Sequence, residues 1–467
     1  MKKMAIVLAA GQGKRMKSKL YKVLHPVCGK PMVGHVMDVV EAAACERTVV
    51  IVGHGAEAVQ SYLGDRAEYA LQEQQLGTGH AALQAAPLLG SEEGTTIIIC
   101  GDTPLVTAAT VQAMLTVHET HGAAVTVLTA ELADPTGYGR IIRGSEDQLE
   151  RIVEQKDCTP EEGAVREINT GTYCFDNKKL FHALSQVTNK NVQGEYYLTD
   201  VIGILQRSGE RVLAHCTGDE AEAIGVNDRI ALAEAERYMR ERIIRGHLVG
   251  GVTIIDPAST YIEAGVTIGA DTVLYPGTIL RGATAIGEDN VIGPQADLTD
   301  TVTGRGVSIK HSVTEQAEIG DETSVGPYAN LRPGSKLGSN CKIGDFVELK
   351  NAVLGDGSKV SHLSYVGDAK VGKDVNIGCG AITVNYDGYN KSITEIGDDA
   401  FVGSNVNLIA PVRIGDGAYV VAGSTITQDV PDNDLAIARE RQVNKPGYAA
   451  KIRSRAQLKK EKKDSSS

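Results

Sequence analysis

Aliphatic side chains recur at nearly every sixth position of the C-terminal half, from Ile262 to Ile426. Many are followed directly by glycine, as in Ile343-Gly344. A period of six predicts a parallel β-helix, because each hexad forms a short strand whose branched side chain points into the core. The glycine permits a tight corner where a larger residue would clash. Three hexads make one triangular coil, so the repeat predicts about nine coils stacked over roughly 40 Å.

The repeat also predicts the core ladder. The spacing slips by three residues after Leu298, resumes at Val307 and Val313, and breaks again near Leu354. A ladder of aliphatic side chains explains how the chain folds with 4% aromatic residues, no Trp and 52 Gly. The predicted core positions are Ile262, Ile268, Leu274, Leu280, Ile286, Ile292, Leu298, Val307, Val313, Ile319, Val325, Leu331, Leu337, Ile343, Leu349, Leu354, Val360, Val366, Ile396, Val402, Leu408, Ile414, Val420 and Ile426.

The N-terminal half alternates apolar runs with segments of helix length. The runs cover residues 4–10, 48–52, 95–100 and 123–128. This alternation predicts a doubly wound, Rossmann-like α/β sheet, which binds ligands beyond the carboxyl ends of its strands. Gly11 follows the first run and Asp102 the third. We therefore expect both residues to face one crevice.

The change of pattern near residue 250 predicts a domain boundary. We expect an α/β domain at 1–227, a helical linker at 228–248, and a β-helix domain with a basic tail at 249–467.

The linker is rich in Ala, Glu and Arg and predicts a helix with polar residues on several faces. Two pairs, Glu236 with Arg240 and Glu241 with Arg245, have the spacing of helical ion pairs. A helix that bridges two bodies and an ordinary packed helix both fit this pattern.

The charge is uneven along the chain. The net charge is −12, but the segment from Arg439 onward contains ten Lys and Arg against three Asp and Glu, so this tail is +7 and the rest −19. An acidic body argues against binding to nucleic acid or a membrane surface. The tail could meet an anionic ligand or keep a frayed end solvated, and we expect residues 459–467 to lack regular structure.

The eight cysteines contain no CxxC motif and no close Cys/His cluster. This usage predicts reduced thiols of a cytoplasmic protein without a zinc site. The apolar run at 4–10 is too short for a signal peptide and ends in Gly and basic residues, and no stretch is long enough to cross a bilayer.

The loop after the first predicted strand, residues 8–16, combines small residues with two cations, Lys14 and Arg15. Small residues let the backbone approach a phosphate, and the cations offset its charge. The loop is neither a Walker A motif nor a dinucleotide fingerprint. By itself it fits an ordinary glycine turn equally well.

The residues that follow make the functional interpretation of this loop more specific. Lys22, the segment 72–78 and Asp102 in Gly101-Asp102-Thr103-Pro104 complete an ordered set that resembles the sugar-nucleotide pyrophosphorylases. With the β-helix, nearly the whole chain resembles the bacterial family that combines N-acetylglucosamine-1-phosphate uridyltransferase and glucosamine-1-phosphate acetyltransferase. The resemblance to hexapeptide-repeat acyltransferases implies that the coil of the β-helix is left-handed. Two departures are Lys14, where many relatives have a small hydroxyl residue, and Cys100, where some have tyrosine.

The resemblance implies roles in uridylyl transfer from UTP. Arg15 and Lys22 would steady the phosphates, and Asp102 with Asn227 would bind Mg²⁺, a hard ion that suits few protein oxygens. The implied uracil and ribose contacts are Leu8, Ala9, Ala10, Gly11, Gln72, Gly77 and Thr78, and the implied sugar contacts are Gly139, Glu154 and Asn169. Singly, each of these residues fits an ordinary turn or surface position equally well.

The hexad pattern breaks around 361–365 and at the insertion 385–391, and such breaks in a regular solenoid indicate function. Acetyl transfer to an amine needs a base near neutral pH, a property of histidine. The resemblance implies that His362 is this base, in a pocket with Asn385 and Tyr386 that is shared between the subunits of a homotrimer. The implied sugar-phosphate contacts are Arg332, Lys350, Tyr365 and Asn376, and the implied acetyl-CoA contacts are Asn385, Tyr386, Cys379, Ser404, Ala422, Arg439 and, more weakly, Lys445.

Two hypotheses follow. In the preferred one, the chain is a cytoplasmic enzyme that acetylates glucosamine-1-phosphate and then makes UDP-N-acetylglucosamine for cell-envelope precursors such as peptidoglycan. In the alternative, the N-terminal half is a monofunctional or degenerate pyrophosphorylase, and the β-helix is an assembly or regulatory module without chemistry. His362, Lys350 and the insertion favour the first.

Overall fold

The computed structural model describes residues 2–144 and 148–464. These residues form two compact units. The first contains the chain up to residue 268 together with 279–284, and the second contains 269–278 together with the chain from 285 onward. The assignment of functions to 1–227, 228–248 and 249–467 stays a prediction.

The first unit is built from a mixed sheet and helices. Its strands are β1 (Lys3–Ala9), β2 (Pro26–Val27), β3 (Lys30–Pro31), β4 (Arg47–Val52), β5 (Glu68–Leu71), β6 (Thr95–Cys100), β7 (Val125–Glu131), β8 (Arg140–Arg143), β9 (Leu149–Val153), β10 (Glu167–Asp176) and β11 (Val212–Cys216). Its helices are α1 (Met32–Ala42), α2 (Ala56–Leu63), α3 (Thr78–Leu83), α4 (Ala86–Leu89), α5 (Ala108–His121), α6 (Pro160–Gly163), α7 (Asn177–Leu184), α8 (Asp200–Arg207) and α9 (Arg229–Val249).

The strand order of the main sheet is β11-β7-β10-β6-β1-β4-β5. The four predicted strands correspond to β1, β4, β6 and β7. Strand β1 pairs in parallel with β4 and β6, whereas β10 lies antiparallel between β6 and β7. The sequence did not predict this antiparallel strand.

Buried side chains cover both faces of the sheet. On one face, α1, α2 and α5 pack against residues such as Val7 and Ile99. On the other, α3, α7 and α8 pack against residues such as Ile6 and Ile98. Alternate residues of β1 and β6 therefore point into opposite layers, which is the arrangement of a doubly wound sheet.

Helix α9 begins after Asp228, whose carboxylate accepts hydrogen bonds from the backbone N–H groups of Ile230 and Ala231 at 3.0 Å. The expected ion pairs of this helix are wrong. Arg237 pairs with Glu241 at 2.9 Å. The Glu236 carboxylate instead accepts a hydrogen bond from the backbone of Cys28 at 2.7 Å.

Short strands make up the C-terminal half. Those within residues 253–268 and 279–281 also belong to the first unit, and the others belong to the second. The strands of this half are β12 (Thr253–Ile254), β13 (Tyr261–Ile262), β14 (Thr267–Ile268), β15 (Val273–Leu274), β16 (Ile279–Arg281), β17 (Ala285–Ile286), β18 (Val291–Ile292), β19 (Asp297–Thr299), β20 (Val302–Thr303), β21 (Ser308–Ile309), β22 (Val313–Glu315), β23 (Glu318–Ile319), β24 (Ser324–Val325), β25 (Asn330–Leu331), β26 (Lys336–Leu337), β27 (Lys342–Asp345), β28 (Glu348–Leu354), β29 (Lys359–His362), β30 (Tyr365–Val371), β31 (Asn376–Ile377), β32 (Ile382–Val384), β33 (Thr394–Ile396), β34 (Phe401–Val402), β35 (Asn407–Ile409), β36 (Val412–Ile414), β37 (Tyr419–Val420), β38 (Thr425–Ile426) and β39 (Leu435–Ala436).

The second unit is a parallel β-helix. On one of its faces ten strands stack in the order β15-β18-β21-β24-β27-β29-β31-β34-β37-β39. The nine strands up to β37 lie within residues 262–426, the range for which about nine coils were predicted. The inward side chains are mostly the predicted aliphatic ones. Val307 is fully buried, as predicted, but the prediction for Val313 is wrong, because Val313 is 51% exposed and Thr303, Ile309 and Thr314 point inward. In place of the expected three-residue slip, several inward positions here are five residues apart, as from Leu298 to Thr303 and from Ile309 to Thr314.

Glycine at the corners permits close contact between successive coils. A Cβ atom on Gly355 would lie 2.7 Å from the carbonyl oxygen of Gly372 in the next coil. Real Cβ atoms do not approach backbone that closely, so stacking requires glycine at this corner.

One coil is longer than its neighbours. The paired residues Lys359 and Asn376 are 17 positions apart, whereas Asn376 and its partner Phe401 are 25 apart. The extra residues form the predicted insertion at 385–391, after which the ladder resumes.

The C-terminal tail ends in α10 (Tyr448–Asp464), a helix without buried residues. The expected lack of regular structure is therefore wrong for residues 459–464. Residues 465–467 lie outside the described part of the chain.

Candidate functional site

A cleft opens at the carboxyl edge of the sheet in the first unit. It brings together Gly11 and Asp102, as the strand order predicts. Ala9 differs from its neighbours, because its side chain is buried on the opposite face of the sheet. The lining residues are Leu8, Ala10, Gly11, Gln72, Gln75, Gly77, Thr78, Ala81, Cys100, Asp102 and Glu195.

One wall of the cleft is fixed by internal hydrogen bonds. The Gln72 amide donates to the carbonyl oxygen of Gly77 at 3.1 Å, and the Thr78 hydroxyl accepts from the backbone N–H of Leu198 at 3.0 Å. Gly77 has φ of 115°, and a Cβ there would lie 2.5 Å from the Tyr196 oxygen. Glycine is therefore required for the wall to close.

Lys22, Asp102 and Asn227 form a compact polar cluster. The Lys22 ammonium donates to the Asn227 amide oxygen at 2.7 Å and to the Asp102 carboxylate. The backbone N–H of Val226 donates to the Asp102 carbonyl at 2.9 Å, which holds the segment with Asn227 against the strand end. Gly13 packs against the Lys22 side chain, so the loop and the cluster form one surface.

The same two oxygens converge on a single cation. Carboxylate and amide oxygens are hard donors of the kind that Mg²⁺ prefers, so Asp102 and Asn227 could hold this ion in place of the ammonium. Arg15 is exposed in the short turn Lys14–Met16 and, within the described residues, forms no ion pair.

Gly139, Glu154 and Asn169 lie together beside the cleft. A Cβ on Gly139 would lie 3.6 Å from a Glu154 oxygen and 3.7 Å from the Asn169 Cβ. The Asn169 amide donates to the Tyr173 hydroxyl at 2.7 Å. Burial raises the pKa of Glu154, although the Thr199 hydroxyl donates to its carboxylate at 3.1 Å. This corner could bind sugar hydroxyl or amide groups.

Cys100 connects the corner to the polar cluster. Its Sγ lies 3.7 Å from the carbonyl oxygen of Gly171, and burial raises the pKa of the thiol to about 12. A neutral thiol therefore lines the cleft between Asp102 and the Asn169 segment.

His362 lies at an exposed corner of the β-helix in the second unit. Its Nδ1 is 2.6 Å from Oδ1 of Asp345, the register partner in the preceding coil. The imidazole is 57% exposed. The hydrogen bond from His362 lowers the pKa of Asp345. Sequence reasoning missed Asp345, because its partner lies 17 positions away in the next coil.

Three predicted acetyl-CoA contacts form one column above His362. Val360, Ile377, Val402 and Val420 are successive register partners. Cys379, Ser404 and Ala422 follow the last three of these residues at the same spacing at which His362 follows Val360. A Cβ on Gly423 would lie 3.7 Å from the Arg439 side chain, which places Arg439 beside the end of the column.

A second polar cluster surrounds Asp368. Its carboxylate accepts hydrogen bonds from Asn351 at 2.8 Å and Asn385 at 2.5 Å, and the Lys350 ammonium lies at 3.5 Å. Although burial opposes ionisation, these hydrogen bonds and Lys350 hold the pKa of Asp368 below its ordinary value. Sequence reasoning also missed Asp368.

The remaining predicted residues lie around this cluster. The Tyr365 hydroxyl is 3.5 Å from the Asn385 amide. Arg332 pairs with Glu348 at 2.8 Å, and Glu348 is the register partner of Tyr365.

Within the described chain, the His362 side chain forms no hydrogen bond with Asn385 or Tyr386. His362 precedes the strand that begins at Tyr365, whereas Asn385 bonds to Asp368 further along β30. The Tyr386 hydroxyl bonds to Gly388 within the insertion. Asn376 is half-buried on β31, and Lys445 lies 5.6 Å from the Tyr448 ring in the tail. Within a single chain, the proposed base therefore lies apart from two residues of its predicted pocket.

Comparison with known protein families identifies the class of protein. The family described as "Nucleotidyl transferase" matches residues 4–228, and the family described as "Bacterial transferase hexapeptide (six repeats)" matches 316–351 and 393–428. The fold and these matches define a two-part transferase, and they confirm the predicted fold class of a doubly wound nucleotidyltransferase domain followed by a left-handed β-helix.

Full-length relatives give the particular family. Bifunctional protein GlmU of Brevibacillus brevis (strain 47 / JCM 6285 / NBRC 100599) is 61% identical over 96% of this chain and 97% of its own. The protein of the same name from Geobacillus thermodenitrificans (strain NG80-2) is 60% identical over 97% of this chain and 99% of its own. This chain belongs to the family of bifunctional protein GlmU.

A crystal structure of UDP-glucose pyrophosphorylase complexed with UDP-glucose is 20% identical, covers 52% of this chain and 100% of its own, and has a TM-score of 0.44, which is too low to support an argument. Across the described residues, no helix combines the length and the apolar content that a bilayer-crossing segment requires.

Proposed function

We propose that this chain makes UDP-N-acetylglucosamine from glucosamine-1-phosphate in two transfers. Acetylation of the sugar amine on the β-helix comes first, and uridylyl transfer from UTP in the α/β unit follows. The observation that supports this proposal is that each unit has its own polar centre. One is the Lys22, Asp102 and Asn227 cluster in the cleft, and the other is His362 on the exposed corner of the β-helix.

Uridylyl transfer is a displacement at phosphorus. A phosphate oxygen of N-acetylglucosamine-1-phosphate forms a bond to the α-phosphorus of UTP, and the bond to pyrophosphate breaks. The protein must mainly neutralise charge. Lys22 and the exposed Arg15 are the cations available to the phosphates, while the loop with Leu8, Ala10 and Gly11 forms the floor beneath uracil and ribose.

Asp102 and Asn227 would hold Mg²⁺, which supplies further neutralisation of phosphate charge when bound. Glu154, Asn169 and Gly139 form a corner for the sugar, where the carboxylate and amide would bind hydroxyl and acetamido groups. Gln72, Gly77 and Thr78 would shape the base pocket rather than offer free polar groups, because their polar atoms already bond internally.

Acetyl transfer joins the sugar nitrogen to the thioester carbonyl carbon. The C–S bond breaks, the amine proton passes to His362, and CoA leaves as a thiolate that then takes up a proton. The column of Cys379, Ser404 and Ala422 would bind acetyl-CoA, with Arg439 at its end. Arg332, Lys350, Tyr365 and Asn376 would bind the sugar phosphate.

A homotrimer would complete this second site. In one chain, His362 lies apart from Asn385 and Tyr386, so the proposal requires these residues to come from neighbouring β-helices. Free cysteines support a cytoplasmic location, and the product would supply peptidoglycan and other cell-envelope precursors.

The two activities can be tested separately. Purified chain is supplied with acetyl-CoA, UTP, Mg²⁺ and glucosamine-1-phosphate, and free thiol and pyrophosphate are followed in separate channels. His362→Ala should abolish thiol release while leaving pyrophosphate release from supplied N-acetylglucosamine-1-phosphate unchanged, and Asp102→Ala should do the reverse. Absence of thiol release from the unaltered chain would favour a monofunctional pyrophosphorylase with a structural β-helix.

A further inference from the structure

The carboxylate of Asp345 contacts the imidazole of His362 across two coils. Strands β27 and β29 fix this contact, because Asp345 and His362 are register partners. The backbone N–H of Leu363 also donates to the Asp345 carbonyl at 2.9 Å. A Cβ on Gly344 would lie 1.8 Å from the Ser361 oxygen, so the coils are in closest approach beside this pair.

Other aspartates of the β-helix have a different environment. Asp321, Asp356 and Asp398 accept hydrogen bonds from backbone N–H groups of the preceding coil, at 2.8, 2.9 and 2.7 Å. Such bonds stabilise the stacking of coils. Asp345 instead accepts a hydrogen bond at 2.6 Å from a side chain that can titrate.

The contact with Asp345 selects one tautomer of the neutral imidazole. A carboxylate accepts only, so Nδ1 must carry the hydrogen. The lone pair then lies on Nε2, which among the described residues has no protein partner. Nδ1–H bonded to a carboxylate is the arrangement that orients a histidine base and stabilises its protonated form.

We propose that Asp345 is a positioning residue for acetyl transfer, which holds His362 with Nε2 toward the substrate amine. The inference rests on the proposed role of His362 as the base. During transfer the amine proton moves to Nε2, Nδ1 keeps its hydrogen bond to Asp345, and the positive charge on the ring lies beside the carboxylate. Nε2 gives up the proton after CoA has left.

Three titratable groups lie on the strands packed around the imidazole. Asp345 faces the imidazole from the preceding coil, Cys379 occupies the equivalent position in the following coil, and Lys359 lies on the same strand as His362. Among the described residues only Asp345 forms a hydrogen bond with the ring. Replacing Asp345 therefore removes the side-chain contact that orients the imidazole.

The test compares Asp345→Asn with Asp374→Asn, a control that makes the same change at an exposed aspartate elsewhere on the β-helix. We expect Asp345→Asn to lower kcat/KM for acetyl transfer roughly 10- to 100-fold. Asp345→Glu keeps a carboxylate at this position and should restore most of the lost acetyl transfer, and uridylyl transfer should stay unchanged in all three.

A second measurement does not depend on activity. Nitrogen-15 spectra of the imidazoles, with the His362 signals assigned by their loss in His362→Gln, should show neutral His362 protonated on Nδ1 in the unaltered chain and a mixture of tautomers in Asp345→Asn. An unchanged tautomer together with unchanged acetyl transfer in Asp345→Asn would overturn the inference. If His362→Gln kept acetyl transfer, the proposed function itself would fail instead.

Discussion

At the scale of single residues, the Lys22 ammonium takes the position of a cation between Asp102 and Asn227. Two oxygens that face one positive group can exchange it for another, so Lys22 and a divalent metal would compete for the same donors. Binding of a metal would free the ammonium for phosphate. The cluster therefore links metal binding to the availability of a phosphate contact.

Lys22→Met should strengthen binding of Mn²⁺ to the nucleotide-free chain, roughly three- to tenfold, because the metal no longer displaces a paired ammonium. Uridylyl transfer should fall roughly 100-fold, since a cation at the phosphates is lost. Calorimetric titration with Mn²⁺ measures the first effect. Lys14→Met removes the same charge from the neighbouring loop and should leave Mn²⁺ affinity unchanged. Equal affinities in the Lys22 variant and the unaltered chain would contradict competition.

Glu154 is a carboxylate in a site that disfavours its negative charge. Because burial raises the pKa of Glu154 in the folded chain, the folded state favours the protonated form. The associated stability is present below the ordinary glutamate pKa of about 4.3 and is lost as pH rises through the raised value.

In Glu154→Gln the side chain does not titrate, so this contribution to the pH dependence of stability is absent. The melting temperature of this variant, relative to the unaltered chain, should therefore increase as pH rises from about 4 to 7. Thermal melts at a series of pH values measure the difference. Glu161→Gln, at an exposed position nearby, should show no trend. A difference that stays flat or falls with pH would show that ionised Glu154 is well accommodated.

The residue types and their order along the chain indicated the cleft. Gly11 and Asp102 each follow a predicted strand, those two strands are neighbours in the sheet, and Lys22 follows Gly11 closely in sequence. The partners of His362 and Lys350 could not be predicted in the same way. Asp345 and Asp368 are each one coil away from their partner, and the register that aligns them depends on coil lengths of 16 to 18 residues that vary along the β-helix.

At the scale of elements, corner glycines decide how closely coils approach. Gly355 faces only backbone of the next coil, which cannot move aside as a side chain could. An added methyl group must therefore separate two coils or bend a strand.

Gly355→Ala should destabilise the β-helix by about 1–3 kcal/mol through overpacking, which lowers its melting temperature by several degrees. Scanning calorimetry measures this change. Gly246→Ala makes the same substitution in α9, where nothing lies within 4 Å of the added atom, and should be neutral or slightly stabilising. Equal melting temperatures for both variants would show that the coils can relax around an added methyl group.

Hydrophobic periodicity predicted the elements where the pattern is strict and failed where it is not. Val313 has the right chemistry for the core but faces solvent, because Thr303 and Thr314 fill the inward positions. Threonine is ambiguous to a pattern of apolar residues. Strand β10 was missed for a related reason, since its Asn, Thr and Gly residues interrupt the apolar run.

At the scale of the whole molecule, the proposed function assigns two transfers to two compact units of one chain. The product of acetyl transfer, N-acetylglucosamine-1-phosphate, is the substrate of uridylyl transfer. The proposed reaction order therefore requires an intermediate to leave one site and enter the other.

A mixture of Asp102→Ala chains and His362→Ala chains should make UDP-N-acetylglucosamine from glucosamine-1-phosphate, although neither variant does so alone. The expected time course has a lag while the intermediate accumulates in solution. Product and intermediate are measured by chromatography. No product from the mixture would mean that the intermediate passes directly between sites of the same assembly.

The single long coil has a consequence for how such proteins diverge. Because each coil of a solenoid touches only its neighbours, the eight or so residues gained between Asn376 and Phe401 are displaced outward, and the rungs above and below keep their alignment. Evolution or an engineer could therefore exchange that protruding segment without redesigning the column that supports it.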